Sequence, residues 1–167
     1  MGYVVEPPEV TSVAVHGSDD RFPVRRIYCV GRNYAAHARE MGHDPDREVP
    51  FYFTKPRDAI VENGADVPYP TLTENYHFEA ELVVAINKSC TNVSVEDALD
   101  HVYGYAVGND LTRRDLQGEA KKKGRPWDVG KAFDNSAPCA EIHTVDQVGH
   151  IENARIWLSV NDEIKQD

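Results

Sequence analysis

The apolar and polar positions along the chain alternate in short β-branched and aromatic runs separated by turn residues. The clearest of these is Leu82-Val83-Val84-Ala85-Ile86, entered through Glu79-Ala80-Glu81. Successive side chains on a strand point to opposite faces, so this pattern predicts a buried strand whose entrance carries Glu79 and Glu81 on one face. Two carboxylates side by side at the edge of a core raise each other's proton affinity unless a cation or water covers them. The pair reads either as part of a metal site or as the solvated face of a half-exposed strand, and the strand alone does not choose between them.

The flanking pattern supplies the other elements. Residues 1–25 alternate through Thr11-Ser12-Val13-Ala14-Val15 into the turn cluster Gly17-Ser18-Asp19-Asp20, predicting a hairpin or arm ahead of a domain over 26–167. Ile27 to Val30 is a short buried strand stopped by Gly31. Asn33 is placed to cap a helix from Tyr34 to Met41, where His37 and Glu40 stand at i and i+3 and meet on one face. Phe51 to Thr54 is a strand running into Lys55-Pro56. A capping spacing at Ser94 to Asp97 opens a short helix over Ala98 to Val102. The glycine-interrupted strand Tyr103 to Gly108 delivers Asn109-Asp110, and Thr112 is read as the start of a helix through Gln117 whose last turn holds Lys121-Lys122-Lys123. That lysine run complements a helix C-terminus.

Residues 125–140 read as one long connection carrying Lys131, of a length that is often functional. Ala154 to Val160 alternates as a strand into the turn Asn161-Asp162-Glu163, with a return strand from Ile164. A hairpin at a terminus exposes edges, so further chain is expected beyond Asp167. Helices and strands are interspersed without regular βαβ spacing, which predicts an α+β fold that is mostly β.

Composition narrows the function. The 167 residues have a formal charge of −10, which disfavours a broad nucleic-acid or anionic-membrane surface and leaves small molecules and metal ions as partners. Three cysteines without a CxxC pair fit reduced thiols in a cytoplasm and disfavour structural zinc. Neither a leader pattern nor an apolar run of membrane-spanning length is visible.

Asp110, where a strand end meets a helix start, is the natural third carboxylate to join Glu79 and Glu81, and oxygen-only ligands suit Mg²⁺ or Mn²⁺, with Ca²⁺ as a substitute. Five segments then resemble a known family: Cys29-Val30-Gly31-Arg32-Asn33-Tyr34 with His37 and Glu40; His77-Phe78-Glu79-Ala80-Glu81-Leu82; Gly104-Tyr105 to Asn109-Asp110; Arg114-Asp115-Leu116-Gln117; and Gly130-Lys131-Ala132-Phe133-Asp134. Together they resemble the fumarylacetoacetate hydrolase family, within it the fumarylpyruvate hydrolase and acylpyruvase branch. The resemblance implies a mixed β-sandwich roll, here lacking its C-terminal part, and a homodimer. It implies Glu79, Glu81 and Asp110 as metal ligands, His37 and Glu40 as the pair that activates water, Lys131 as a catalytic lysine beside the metal, and Arg114 and Gln117 as substrate-binding residues. His77 is left to a supporting or structural role.

The chemistry so implied is hydrolysis of a carbon–carbon bond in a small 2,4-dioxo acid, fumarylpyruvate above others. Decarboxylation of oxaloacetate or isomerisation of 2-hydroxyhepta-2,4-diene-1,7-dioate would use the same site. A non-catalytic metal-binding module is the reading from another class.

Overall fold

The structure, a computed structural model, describes residues 2–31, 33, 49–62 and 64–167. Among the described residues, thirteen strands form one five-stranded mixed sheet and four two-stranded sheets: β1 (Ser12–Ala14), β2 (Arg21–Pro23), β3 (Ile27–Gly31), β4 (Phe51–Lys55), β5 (Ile60–Glu62), β6 (Tyr76–His77), β7 (Ala80–Ile86), β8 (Val102–Asn109), β9 (Thr112–Arg113), β10 (Ala137–Cys139), β11 (His143–Thr144), β12 (Leu158–Val160) and β13 (Glu163–Gln166). The helices are short: α1 (Arg114–Lys122), α2 (Asp128–Lys131) and α3 (Val145–Val148).

The centre of the sheet is β8. It pairs antiparallel with β7 from Ala80↔Asn109 to Ile86↔Val102, and on its other edge with β10 and β11, while β5 joins β10 in parallel. Gly104 is required where β11 crosses, because a Cβ there would come within 2.2 Å of the His143 carbonyl oxygen. The β1–β2 hairpin is not a loose appendage. Val15 bridges Ile142 in parallel, and Val13 is buried with Ala85, Ala106 and Ile142 in the core cluster.

Several local patterns gave way to long-range pairing. Thr112 does not cap a helix; it is fully buried in β9 opposite His77, its hydroxyl donating to the Asp110 carbonyl at 2.9 Å. The helix begins at Arg114 instead, and the Asp115 carboxylate accepts from the Thr73 hydroxyl at 2.6 Å and the Glu74 amide at 3.0 Å, tying the preceding loop to its first turn. Lys121 and Lys122 occupy the last turn as expected, ahead of Gly124 at φ 60°. Residues 125–140 are not a bare connection, since they contain both α2 and β10.

The strand expected from Ala154 shortens to Leu158–Val160, because β13 offers partners only from Leu158↔Gln166 onward. The β7 strand is buried on one side only. Val83 and Ala85 face the core, whereas Leu82, Val84 and Ile86 are exposed together with Val107, the partner of Leu82. The helix expected over 34–41, with His37 and Glu40, lies outside the described residues.

Candidate active site

The site is assembled where β8 ends. The Asp110 amide donates to the Glu79 carbonyl at 2.8 Å and the Glu79 amide to the Asn109 side-chain oxygen at 2.9 Å, so Glu79 and Asp110 leave adjacent strands at the same level. Glu79 stands one residue before β7, and these bonds, more than strand alternation, fix where it points. From α2, the Lys131 side chain, 3% exposed, places Nζ 2.6 Å from Glu79 Oε2 and 2.7 Å from Asp110 Oδ2. One sealed ammonium therefore joins two carboxylates that come from residues 31 positions apart (110 − 79).

At the start of α1, Arg114 forms an ion pair with Glu79 Oε1 and donates to the side-chain oxygen of buried Gln117 at 3.2 Å. Burial would push the Glu79 carboxyl up, but Lys131 and Arg114 outweigh it and hold Glu79 below the usual carboxylate range. Slight burial and the Arg114 charge lower the His77 imidazole, against an opposing pull from Glu79.

Lys55, at the end of β4, is a member of this cluster that the sequence pattern did not single out. Its side chain is 2% exposed, with Nζ 2.9 Å from Asp110 Oδ1 and 3.1 Å from the Leu111 carbonyl, and it also donates to the Lys131 carbonyl. Asp110 Oδ1 is buried, and among the described residues its close neighbour is the Lys55 ammonium, met as an ion pair. Cys29 of β3 lies within the same field. Burial pushes its thiol up to about 12, with Asp110 and Glu81 adding to the rise and Lys55 and Lys131 opposing it.

Aromatic packing holds α2 in place. Trp127, just before it, meets Phe51 edge-on at 5.2 Å between centroids and Phe53 at 5.7 Å, and Lys131 Nζ lies 5.1 Å from the Phe53 ring centre. This aromatic support was also missed, because Trp127 sits in a stretch that reads as loop.

The structure thus brings together Glu79, Asp110, Lys131, Arg114 and Gln117. Glu81, within β7, is partly buried and acts electrostatically on Cys29, as Asp110 does. Among the described residues, no group of three His, Cys, Asp or Glu side chains is placed to hold a metal ion. The donor chemistry of the carboxylates nonetheless fits a hard divalent cation, since Asp110 Oδ1 is a buried anionic oxygen that, among the described residues, is balanced by cationic charge and by no geometric hydrogen bond. His37 and Glu40 lie outside the described residues.

A mostly β domain with acidic and lysine side chains converging at the end of its central strand is the class that the fold and site define. The family model for the fumarylacetoacetate (FAA) hydrolase C-terminal domain matches residues 26–167, and the chain belongs to that family. A crystal structure of fumarylpyruvate hydrolase from Pseudomonas aeruginosa in complex with Mn²⁺ and pyruvate superposes with a TM-score of 0.93 at 53% identity, over 99% of this chain and 72% of that one. Fumarylpyruvate hydrolase of Ralstonia sp is 48% identical over 128 residues, 75% of this chain and 66% of that protein. Mitochondrial oxaloacetate tautomerase of Bos taurus is 43% identical over 143 residues, 86% of this chain and 64% of that protein. The chain therefore spans just under two thirds of the length of these two curated relatives. Among the described residues no helix is long and apolar enough to cross a membrane.

Proposed function

We propose that this chain forms the metal-binding part of a hydrolase that cleaves a carbon–carbon bond in an acylpyruvate, with fumarylpyruvate as substrate and fumarate and pyruvate as products. The observation that carries the reading is the convergence of Glu79 and Asp110 on the Lys131 ammonium, in a chain 53% identical to an enzyme solved with Mn²⁺ and pyruvate. Glu79, Glu81 and Asp110 would hold Mg²⁺ or Mn²⁺ through oxygen atoms alone. When bound, such an ion supplies Lewis acidity that polarises a ketone oxygen and balances enolate charge.

The protein's own groups divide the remaining work. His37, oriented by Glu40, takes a proton from water, whose oxygen adds to the C4 carbonyl carbon of the 2,4-dioxo acid. The C3–C4 bond then breaks, its electron pair staying on C3 as the enolate of pyruvate, and the proton that His37 took from water is returned to C3, which closes the balance. Lys131 is a fixed cation beside the developing enolate charge, and fixed charge in a sealed site needs no reorganisation at the moment of reaction. Arg114 and Gln117, already joined to each other, orient the substrate carboxylate. A homodimer of the complete protein is part of this reading.

The relationship to oxaloacetate tautomerase supports a second reading, in which the same site handles oxaloacetate or a related dioxo acid without attacking water. Product analysis with Mn²⁺-loaded complete protein separates them. Fumarate plus pyruvate from fumarylpyruvate supports hydrolysis. Keto–enol conversion of oxaloacetate, or pyruvate plus CO₂ from it, with fumarylpyruvate left intact supports the second reading, and metal binding without turnover of either counts against both.

A further inference from the structure

We propose that Lys55 is a positioning residue, a buried cation that holds Asp110 and Lys131 in register with each other. The proposal rests on the reading of Asp110 and Lys131 as the working heart of the site, and it concerns what keeps them there. Lys55 sits at the end of β4, opposite Ile27 in the β3–β4 pair, and its ammonium reaches into a space closed by two other segments. One segment continues from β8 through Asp110 and Leu111; the other is α2, which ends at Lys131.

The contacts match what an ammonium can offer. It has three donor hydrogens radiating from one centre. The Leu111 carbonyl at 3.1 Å and the Lys131 carbonyl each accept one of them, and the ammonium charge pairs with Asp110 Oδ1 at 2.9 Å. Two of these three partners are backbone atoms, each at or next to a residue whose side chain enters the site, so Lys55 grips the frame while Lys131 Nζ reaches Asp110 Oδ2 from the other side. Fully buried Ser136 reinforces the same frame, donating to the Lys131 carbonyl at 3.2 Å and accepting from the Leu111 amide at 3.1 Å.

Burying an ammonium is costly unless it is paired and hydrogen-bonded. Burial lowers the proton affinity of Lys55, and Asp110 opposes that. A purely structural plug at a strand end would be met more cheaply by an apolar side chain. A single charged group spanning both segments instead fixes the distance between opposite charges, which is the quantity a preorganised site depends on.

The test uses the complete protein with Lys55→Met and Lys55→Arg. Methionine keeps much of the volume and removes the charge; arginine keeps the charge but replaces radiating donors with a planar fork. Both variants are expected to lose roughly 10- to 100-fold in kcat on fumarylpyruvate per folded molecule, with KM little changed and the far-ultraviolet circular dichroism retained. Crystal structures of the variants are expected to show Lys131 Nζ drawn away from its 2.7 Å contact with Asp110 Oδ2. Wild-type kcat in either variant overturns the proposal and leaves the hydrolase reading standing. Should wild-type protein leave fumarylpyruvate intact, that reading fails, and the variant crystal structures alone decide the matter: an unmoved Lys131 overturns the positioning role and a displaced one supports it. If Lys55→Met does not fold, the Lys55→Arg result decides.

Discussion

Gly130 lies against Gln117 so closely that a Cβ at Gly130 would come within 2.7 Å of the Gln117 Cβ and 2.8 Å of its backbone nitrogen. This approach of α2 to α1 is what lets Lys131, one residue on, and Arg114, one turn back, act on the same glutamate. Gly130→Ala therefore has to push the two helices apart. We expect a loss of about 1–3 kcal/mol in urea unfolding, the usual range for overpacking, together with impaired turnover. Unchanged stability would mean that α2 shifts freely and that the close approach does not set the site.

Lys131 is expected to matter for stability as well as for chemistry. Lys131→Met leaves Glu79 and Asp110 facing each other with the shared ammonium gone, and removing one partner of a sealed charge network costs about 3 kcal/mol or more. Urea denaturation in the presence of a chelator should show this loss, and added Mn²⁺ should recover part of it by supplying another cation. Equal midpoints for wild type and variant under chelation would show that the ion pairs contribute nothing net.

The same network predicts acid behaviour. Glu79 has a folded-state pKa depressed below its ordinary value of 4.5, so its stabilising contribution is present above that pH and is lost as pH falls through the lower folded value. Glu79→Gln removes this contribution. Variant and wild type should differ most near neutrality and converge as the pH is taken below about 4.5, as read from urea midpoints across that window. A difference that stays constant into acid would assign the effect to packing.

What could be read from the chain beforehand follows a physical divide. Asp110 could be placed from a strand ending in Asn109-Asp110, whereas Lys131 by itself reads as a surface lysine and was singled out only through the family resemblance of Gly130-Lys131-Ala132-Phe133. The lysines closing α1 follow from dipole complementarity within one helix. Lys55 was invisible because a lysine before a proline at a strand end looks like surface, and the acceptors that permit its burial lie 55 to 76 residues away along the chain. Thr112 misled for the same reason. Its spacing to Asp115 is that of a helix cap, but pairing with His77 and a bond to the Asp110 carbonyl claimed it for β9. The outward face of β7 was likewise misread: an apolar run shows that a strand is apolar on both sides, and only the packing shows that Leu82, Val84 and Ile86 are exposed.

The cysteines give an inexpensive check on the packing around the site. Burial pushes Cys139 up to about 11 and Cys29 up to about 12, whereas Cys90 is exposed. At pH 8 a thiol of pKa near 11 is ionised in on the order of one molecule in a thousand. A disulfide exchange reagent should therefore titrate Cys90 alone quickly in native protein, and Cys29 and Cys139 only after denaturation. Fast reaction of Cys29 in the native state would mean that the space beside Asp110 is open to solvent.

The central claim is that the carboxylates gathered by this fold form a divalent-metal centre, and Mn²⁺ binding tests it most directly. Calorimetric titration of the complete protein should show one strong site per chain, with affinity reduced by roughly 10-fold or more in each of Glu79→Gln, Glu81→Gln and Asp110→Asn while the fold is retained. Unchanged Mn²⁺ affinity in all three variants would contradict the account, leaving Glu79, Asp110 and Lys131 as an ion-pair cluster that supports the fold without binding metal.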